Sequence, residues 1–246
     1  MPVDPPDMYK HIALLVRAPE LTHREFREHW RDRHAPIVRE IDGLRRYHRV
    51  VPTDPDVAEF DGLAECYFED LEALTDAFGR PGDPTTEPTD DRAREACEVG
   101  RDFLAAEKCR RFVGRELLQR DDVDGDTDGC YKHSAFLVRK AGMSHDAFRA
   151  YWQERHTPIA REIEGVVRYA TVLPADPGTA AFDGVAELYF EDLEALYDAL
   201  GGEGSRDYDP DRGAARRARE DVDNFLAIDE RPRLIGRERV IVDRGP

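Results

Sequence analysis

The chain has 246 residues, enough for one large or two small domains, and its 53 Asp and Glu against 36 Lys and Arg set a formal net charge of −17. A field of that sign repels phosphate backbones and anionic lipid surfaces, which excludes nucleic acid and membrane as expected partners. Only four basic residues are lysines, Lys10, Lys108, Lys132 and Lys140, and an acidic, lysine-poor exterior suits a halophilic, cytoplasmic setting where salt screens ordinary repulsion.

The opening Met1-Pro2-Val3-Asp4-Pro5-Pro6 has neither a basic nor an apolar stretch of a leader, and no run approaches the roughly 18 apolar residues of a membrane span. Tyr9 to Arg17, β-branched and apolar, predicts a strand. Leu21 to Ile41 predicts a helix opened by a Thr22-x-x-Glu25 capping box, and Pro36, which lacks a backbone donor, should kink it or start a new turn. Leu44 to Pro52 and Gly62 to Glu69 alternate as strands, Asp70 caps a short helix through Ala77, and Gly79 to Asp91 is a Pro/Gly/Asp-rich surface loop. A helix over Ala93 to Leu104 and a strand over Arg111 to Leu118 complete a β-α-β-β-α-β order, the ferredoxin-like split unit.

The same text then repeats. Tyr9-Lys10-His11 recurs as Tyr131-Lys132-His133, an offset of 131 − 9 = 122, and that offset carries Phe26, Trp30, His34 and Pro36 onto Phe148, Trp152, His156 and Pro158. The expected fold is therefore α+β, with ferredoxin-like modules at 1–120 and 130–246 joined by an acidic linker at 121–129, and with Gly201 to Gly213 as the second surface loop. Strand alternation puts Ala64, Cys66 and Phe68 on the helix side and Glu65 and Tyr67 opposite, so two such sheets packed face to face should enclose a cavity. Within the linker, Asp124-x-Asp126-x-Asp128-Gly129 matches the first half of a calcium loop, but Ala135 stands where a bidentate Glu is needed. Cys66, Cys97, Cys109 and Cys130 face Leu188, Arg219, Arg231 and Met8 in the other copy, which argues against a cysteine metal site or disulfide framework.

Six of the eight histidines fall into repeat-related pairs: His11/His133, His23/His145 and His34/His156. His23 and His145 follow a helix cap, where a polar side chain is ordinary. His11 and His133 lie mid-strand; if Ile12, Leu14 and Val16 meet the helices, the histidines enter the cavity beside Glu65 and Tyr67. His34 and His156 precede the proline turn, aimed at a pocket or capping carbonyls freed by the kink.

The combination Phe26-x-x-x-Trp30-x-x-x-His34-x-Pro36, Gly43-x-x-Arg46-Tyr47 and Phe60-Asp61-Gly62-x-Ala64-Glu65, present in both copies, resembles the EthD family of the dimeric α/β barrel superfamily. The resemblance implies two tandem modules packed sheet to sheet as an intramolecular dimeric α/β barrel, a further homo-oligomer staying open. It carries catalytic roles onto His34, His156, Glu65, Glu187, Tyr67 and Tyr189; His11, His133, Tyr47 and Tyr169 are the residues expected to bind the ligand beside them. It implies a cofactor-free, metal-free acid/base lyase, isomerase or monooxygenase acting on an apolar or aromatic carbonyl compound. The alternatives are a haem-binding barrel, a non-haem metal held by His and Glu, and a non-catalytic ligand-binding or stress protein whose Arg17/Arg139 and Arg33/Arg155 pair with Glu40/Glu162.

Overall fold

The computed structural model describes residues 8–81, 83, 86–205, 208, 210 and 213–245. The N-terminal Met1 to Pro6 lies outside the described residues, as do parts of both predicted surface loops. In chain order the first half comprises β1 (Tyr9–Leu15), α1 (His23–His29), a π-helical turn (Trp30–His34), α2 (Ala35–Val38), β2 (Leu44–Pro52), β3 (Gly62–Phe68), α3 (Leu71–Phe78), α4 (Asp91–Gly100) and β4 (Arg110–Asp121). The second half repeats this order with β5 (Tyr131–Leu137), α5 (His145–Tyr151), a π turn (Trp152–His156), α6 (Thr157–Ala160), β6 (Val166–Pro174), β7 (Gly184–Phe190), α7 (Leu193–Leu200), α8 (Gly213–Val222) and β8 (Arg233–Asp243).

Local chemistry sets the boundaries. Thr22 accepts from the Glu25 amide while the Glu25 carboxylate takes the Thr22 amide, the predicted capping box, and Asp70 caps α3. Pro36 cannot donate to a helix carbonyl and its ring crowds the carbonyl four residues back. The chain answers with a wider turn in which the Ala35 amide reaches Trp30 O, and Thr157 reaches Trp152 O identically before Pro158. The predicted kink is thus a π turn inside a helix that otherwise continues.

All eight strands form one closed antiparallel barrel in the order β1-β3-β2-β8-β5-β7-β6-β4. Each half supplies four consecutive strands, and the seams between halves are β2 with β8, register Val50↔Glu238, and β4 with β6, register Glu116↔Val172. Closure leaves no unpaired edge to template association.

Helices cover the outside. Phe26 and Trp30 on one half and Phe148 and Trp152 on the other are fully buried between helix and sheet. The outer ring atoms of Trp30 press on Gly62, where an added Cβ would come within 2.5 Å of Cζ3, and those of Trp152 press on Gly184 in the same way; this close approach explains the repeated Phe-Asp-Gly. The aspartate before each glycine, Asp61 or Asp183, accepts the Arg17 or Arg139 amide at 2.8 Å. His23 Nδ1 sits 2.9 Å from Asp61 and His145 Nδ1 3.3 Å from Asp183, so this pair has a structural explanation. Arg17 and Arg139 pair with these aspartates, whereas Glu40 pairs with Arg39 and Glu162 with Arg217, not the partners expected.

Inside the barrel, one end is apolar: Ile12, Leu14, Val50, Leu63 and Phe112 of the first half meet Phe136, Val172, Val185 and Leu234 of the second. The middle is ionic. The space expected between the sheets is therefore filled by side chains, a correction to the cavity read from strand alternation.

Candidate functional site

Three regions hold the residues singled out by sequence. The first is the ionic layer of the barrel. Lys10 Nζ lies 2.5 Å from Glu187, 2.9 Å from Glu65 and 3.3 Å from Glu116, and Lys132 Nζ lies 2.6 Å from Glu65, 3.2 Å from Glu238 and 3.3 Å from Glu187. Each ammonium also sits over a tyrosine ring, Lys10 over Tyr67 and Lys132 over Tyr189. Burial opposes both charges, but the carboxylates around them prevail and raise both lysines above their ordinary pKa. Burial likewise opposes ionisation of Glu65 and Glu238, yet Lys10 and Lys132 hold Glu65, and Lys132 with His48 and Thr127 holds Glu238, below the carboxylate range, whereas burial and the Glu65 charge lift Glu187 above it.

His48, Glu65 and Glu238 present ligand atoms within 4.8 Å of one another, a spacing that could hold a metal ion. The Lys132 ammonium already supplies the positive charge between those two carboxylates. Glu65 and Glu187 have no solvent exposure. Tyr67 and Tyr189 reach only a recess of about 210 Å³ at the barrel mouth, beside Arg46, His48 and Arg168.

The second region lies outside the barrel, between sheet and helices of the first half. His11 pairs with Cys66 and Ile12 with Glu65 across β1 and β3. Ile12 and Leu14 therefore face the barrel interior and His11 faces the helices, so the histidines do not enter a space shared with Glu65 and Tyr67. The physical reason is the lysine: Lys10 shares a face with Ile12 and Leu14, and its ammonium is satisfied only among the interior carboxylates. His11 instead lines a cavity of about 570 Å³ with His34, Tyr47, Cys66, Phe78 and Phe103. It continues into a groove of about 470 Å³ past Arg110 and Arg111.

The π turn brings His34 to this cavity, edge-on to Phe103 at 5.5 Å. His34 Nδ1 and His11 Nε2 are buried and have no hydrogen-bond partner. Burial, then the Arg49 charge, lowers His34 to about 4; burial, then Arg111, lowers His11 to about 3. Both rings are neutral near neutrality. Tyr47 accepts from Trp30 Nε1 at 2.9 Å, which leaves its own O–H to donate elsewhere, and burial pushes its pKa up, keeping it protonated. Burial likewise keeps the Cys66 and Cys109 thiols protonated.

The third region is the same place in the second half, and it is nearly filled beneath an open groove of about 1170 Å³ that runs past Tyr208 and Arg217. His133, His156 and Tyr169 line a space of only about 40 Å³. Arg231 stands at the position of Cys109 and Tyr208 at that of Thr86, and Arg219, at the position of Cys97, lies over the Tyr208 ring at 5.7 Å. His156 Nδ1 is 2.9 Å from Asp221, which also takes the Tyr151 hydroxyl at 2.6 Å; the residue at that position in the first half is Val99. The Tyr169 hydroxyl lies 3.4 Å from Thr157 Oγ1, where the first half has Ala35.

Sequence reasoning thus named His11, His34 and Tyr47 but missed the thiols, Phe78, Phe103 and the arginines around them. The signal was present in the unequal repeat positions: three small cysteines stand where the second copy has Leu188, Arg219 and Arg231. In the linker, Asp128 accepts from the Val240 amide at 3.0 Å and meets Arg239 at 3.4 Å, which gives this aspartate a structural partner on β8. No helix among the described residues is long and apolar enough to cross a membrane.

Solved structures share the architecture. An anthrone oxidase-like protein superposes with a TM-score of 0.62 at 12% identity, covering 98% of this chain and 96% of that one. Chlorite dismutase from Candidatus Nitrospira defluvii superposes at 0.54 and 12% identity over 95% and 92% of the two chains. An ethyl tert-butyl ether degradation (EthD) family protein from Bacillus halodurans is 27% identical over 45% of this chain and 99% of its own, with a TM-score of 0.35. No curated protein matches the chain. The EthD domain model matches residues 18–83 and 140–228, together more than half of the sequence and one segment in each half; the chain belongs to the EthD family, in two tandem copies.

Proposed function

We propose that the protein is a small-molecule enzyme of the cofactor-free acid/base type, acting on an apolar or aromatic carbonyl compound held in the first-half cavity. The observation that carries this reading is the inequality of the two halves: one keeps about 570 Å³ around an unpartnered neutral imidazole, the other about 40 Å³ around an imidazole tied to Asp221. The larger volume falls within the roughly 300–1,000 Å³ of small-ligand pockets. In this reading the two ferredoxin-like modules divide labour, the first at 1–120 carrying the site and the second, at 130–246 beyond the linker, completing the barrel.

The chemistry follows from the protonation states. A neutral His34 can take a proton from an acidic carbon next to a carbonyl, and the Tyr47 hydroxyl can donate to the oxygen on which the negative charge collects. In an isomerase step the proton moves from one substrate carbon to the imidazole nitrogen and returns to another atom of the product; in a lyase step the C–H electron pair becomes the new double bond while the leaving group departs with its own bonding pair and takes up that proton, so neither step requires a redox partner. His156 has no such role because its ring is held by Asp221. The nitrogens His11 Nε2 and His34 Nδ1 are also the donors that a haem iron would require, so haem competes for the same place.

Anthrone, the aromatic ketone in the name of one structural neighbour, has an acidic ring methylene and serves as probe. Anaerobic exchange of its methylene protons for solvent deuterium, followed by NMR, should be faster with wild type and with His156→Gln than in buffer. His34→Gln should lose at least about tenfold of that rate, the scale of a positioned general base. The wild-type rate should fall as pH drops toward about 4, where His34 takes its own proton. Exchange no faster than buffer, equal exchange in His34→Gln, or tight haemin binding with a Soret band that displaces the probe would overturn the reading.

A further inference from the structure

Arg111 and its repeat counterpart Arg233 are the same residue in different circumstances. Arg233 is buried, and its guanidinium donates to Leu200 O at 3.3 Å and Gly201 O at 3.2 Å. Arg111 is exposed, lines both the cavity and its groove, and among the described residues no hydrogen bond or ion pair holds its guanidinium. Its register partner on β1 is Ala13, which puts it on the helix-facing side with His11. His11 is 7% exposed, stacks on Phe78 at 4.1 Å, and keeps Nε2 unpartnered.

The acidic groups do not neutralise this end. The carboxylates lining the cavity and its groove, Glu87, Glu98, Asp83 and Asp176, are exposed, and Asp83 and Asp176 accept from the Thr86 and Thr179 hydroxyls. The charges felt by the two imidazoles are cationic, Arg111 at His11 and Arg49 at His34. Arg49 is 9% exposed, packs over Trp30 at 5.2 Å, and leaves Nε without a partner. In a protein of net charge −17, whose far field repels anions, an exposed guanidinium that no described residue holds, beside a buried imidazole nitrogen, is a local exception.

We infer that the ligand of this cavity is an anion, an apolar aromatic molecule whose carboxylate is received by the Arg111 guanidinium and the His11 ring. The inference rests on the cavity being the ligand site and adds the charge of what enters it. An anionic oxygen so placed also favours the proton transfer proposed for His34, because a neighbouring negative charge makes that imidazole a stronger base.

The test compares 2-naphthoate, methyl 2-naphthoate and 2-naphthylmethylammonium by titration calorimetry. These differ in charge and hardly in apolar surface. The carboxylate should bind at least about tenfold tighter than the ester, the worth of a hydrogen bond to a charged group, and the ammonium weakest. Arg111→Gln should bring carboxylate affinity down to that of the ester without changing the ester, and Arg111→Lys should keep part of the preference. Arg111 is exposed, so an unchanged melting temperature identifies a folded variant. Equal binding of ester and carboxylate, or a preference that survives Arg111→Gln, overturns the anion assignment and leaves the cavity reading standing. Failure of all three compounds to bind overturns both.

Discussion

Lys10 and Lys132 are two of only four lysines in the chain, and both are wholly buried, each within 3.3 Å of three carboxylates. A compact ammonium fits between carboxylates where a planar guanidinium would not. Removing one such charge leaves its partners buried and uncompensated, so Lys132→Met should destabilise the protein by about 3–5 kcal/mol in urea denaturation. A loss below about 1 kcal/mol would mean that water reaches the layer and that these are ordinary surface-like pairs. The layer was half legible in the sequence. Alternation over Ala64-Glu65-Cys66-Tyr67-Phe68 separates the two faces of β3 correctly. Tyr9 to Leu15 does not, because polar and apolar residues occupy both of its faces and nearly every position is buried; only the acidic partners on other strands decide that Lys10, and not His11, points inward.

At the scale of elements, the helix and sheet of each half meet through one repeated contact, a tryptophan ring on a glycine. Gly62→Ala should cost about 1–3 kcal/mol, because the added Cβ lands 2.5 Å from the Trp30 ring and the helix carrying His34 must lift. Gly184→Ala should cost the same by thermal unfolding, yet only Gly62→Ala should also weaken binding in the cavity. Equal loss of binding from both would show that the two sites are not independent. The order of elements along the chain and the capping box could be read from residue types. The π turn could not, since Pro36 reports only that a backbone donor is missing and not which wider hydrogen bond replaces it.

For the whole molecule, the seams β2 with β8 and β4 with β6 make each half the other's missing sheet edge, and in the proposed reading duplication frees one copy from keeping a site. The offset of 122 announces the duplication plainly. Its functional consequence was written less legibly, in single exchanges whose meaning depends on packing: Cys109 for Arg231, Val99 for Asp221, Ala35 for Thr157. Each is unremarkable along the chain and becomes informative once Arg231 is seen in the wall of the second-half space, Asp221 on the His156 ring and Thr157 beside the Tyr169 hydroxyl. The central claim, one open site per chain in the first half, is tested most directly by titrating methyl 2-naphthoate calorimetrically while following the side-chain nitrogen resonances of the histidines. One equivalent per chain, with His34 and His11 shifting and His156 unmoved, is the predicted result. Two equivalents, or one that moves His156 instead, would contradict it.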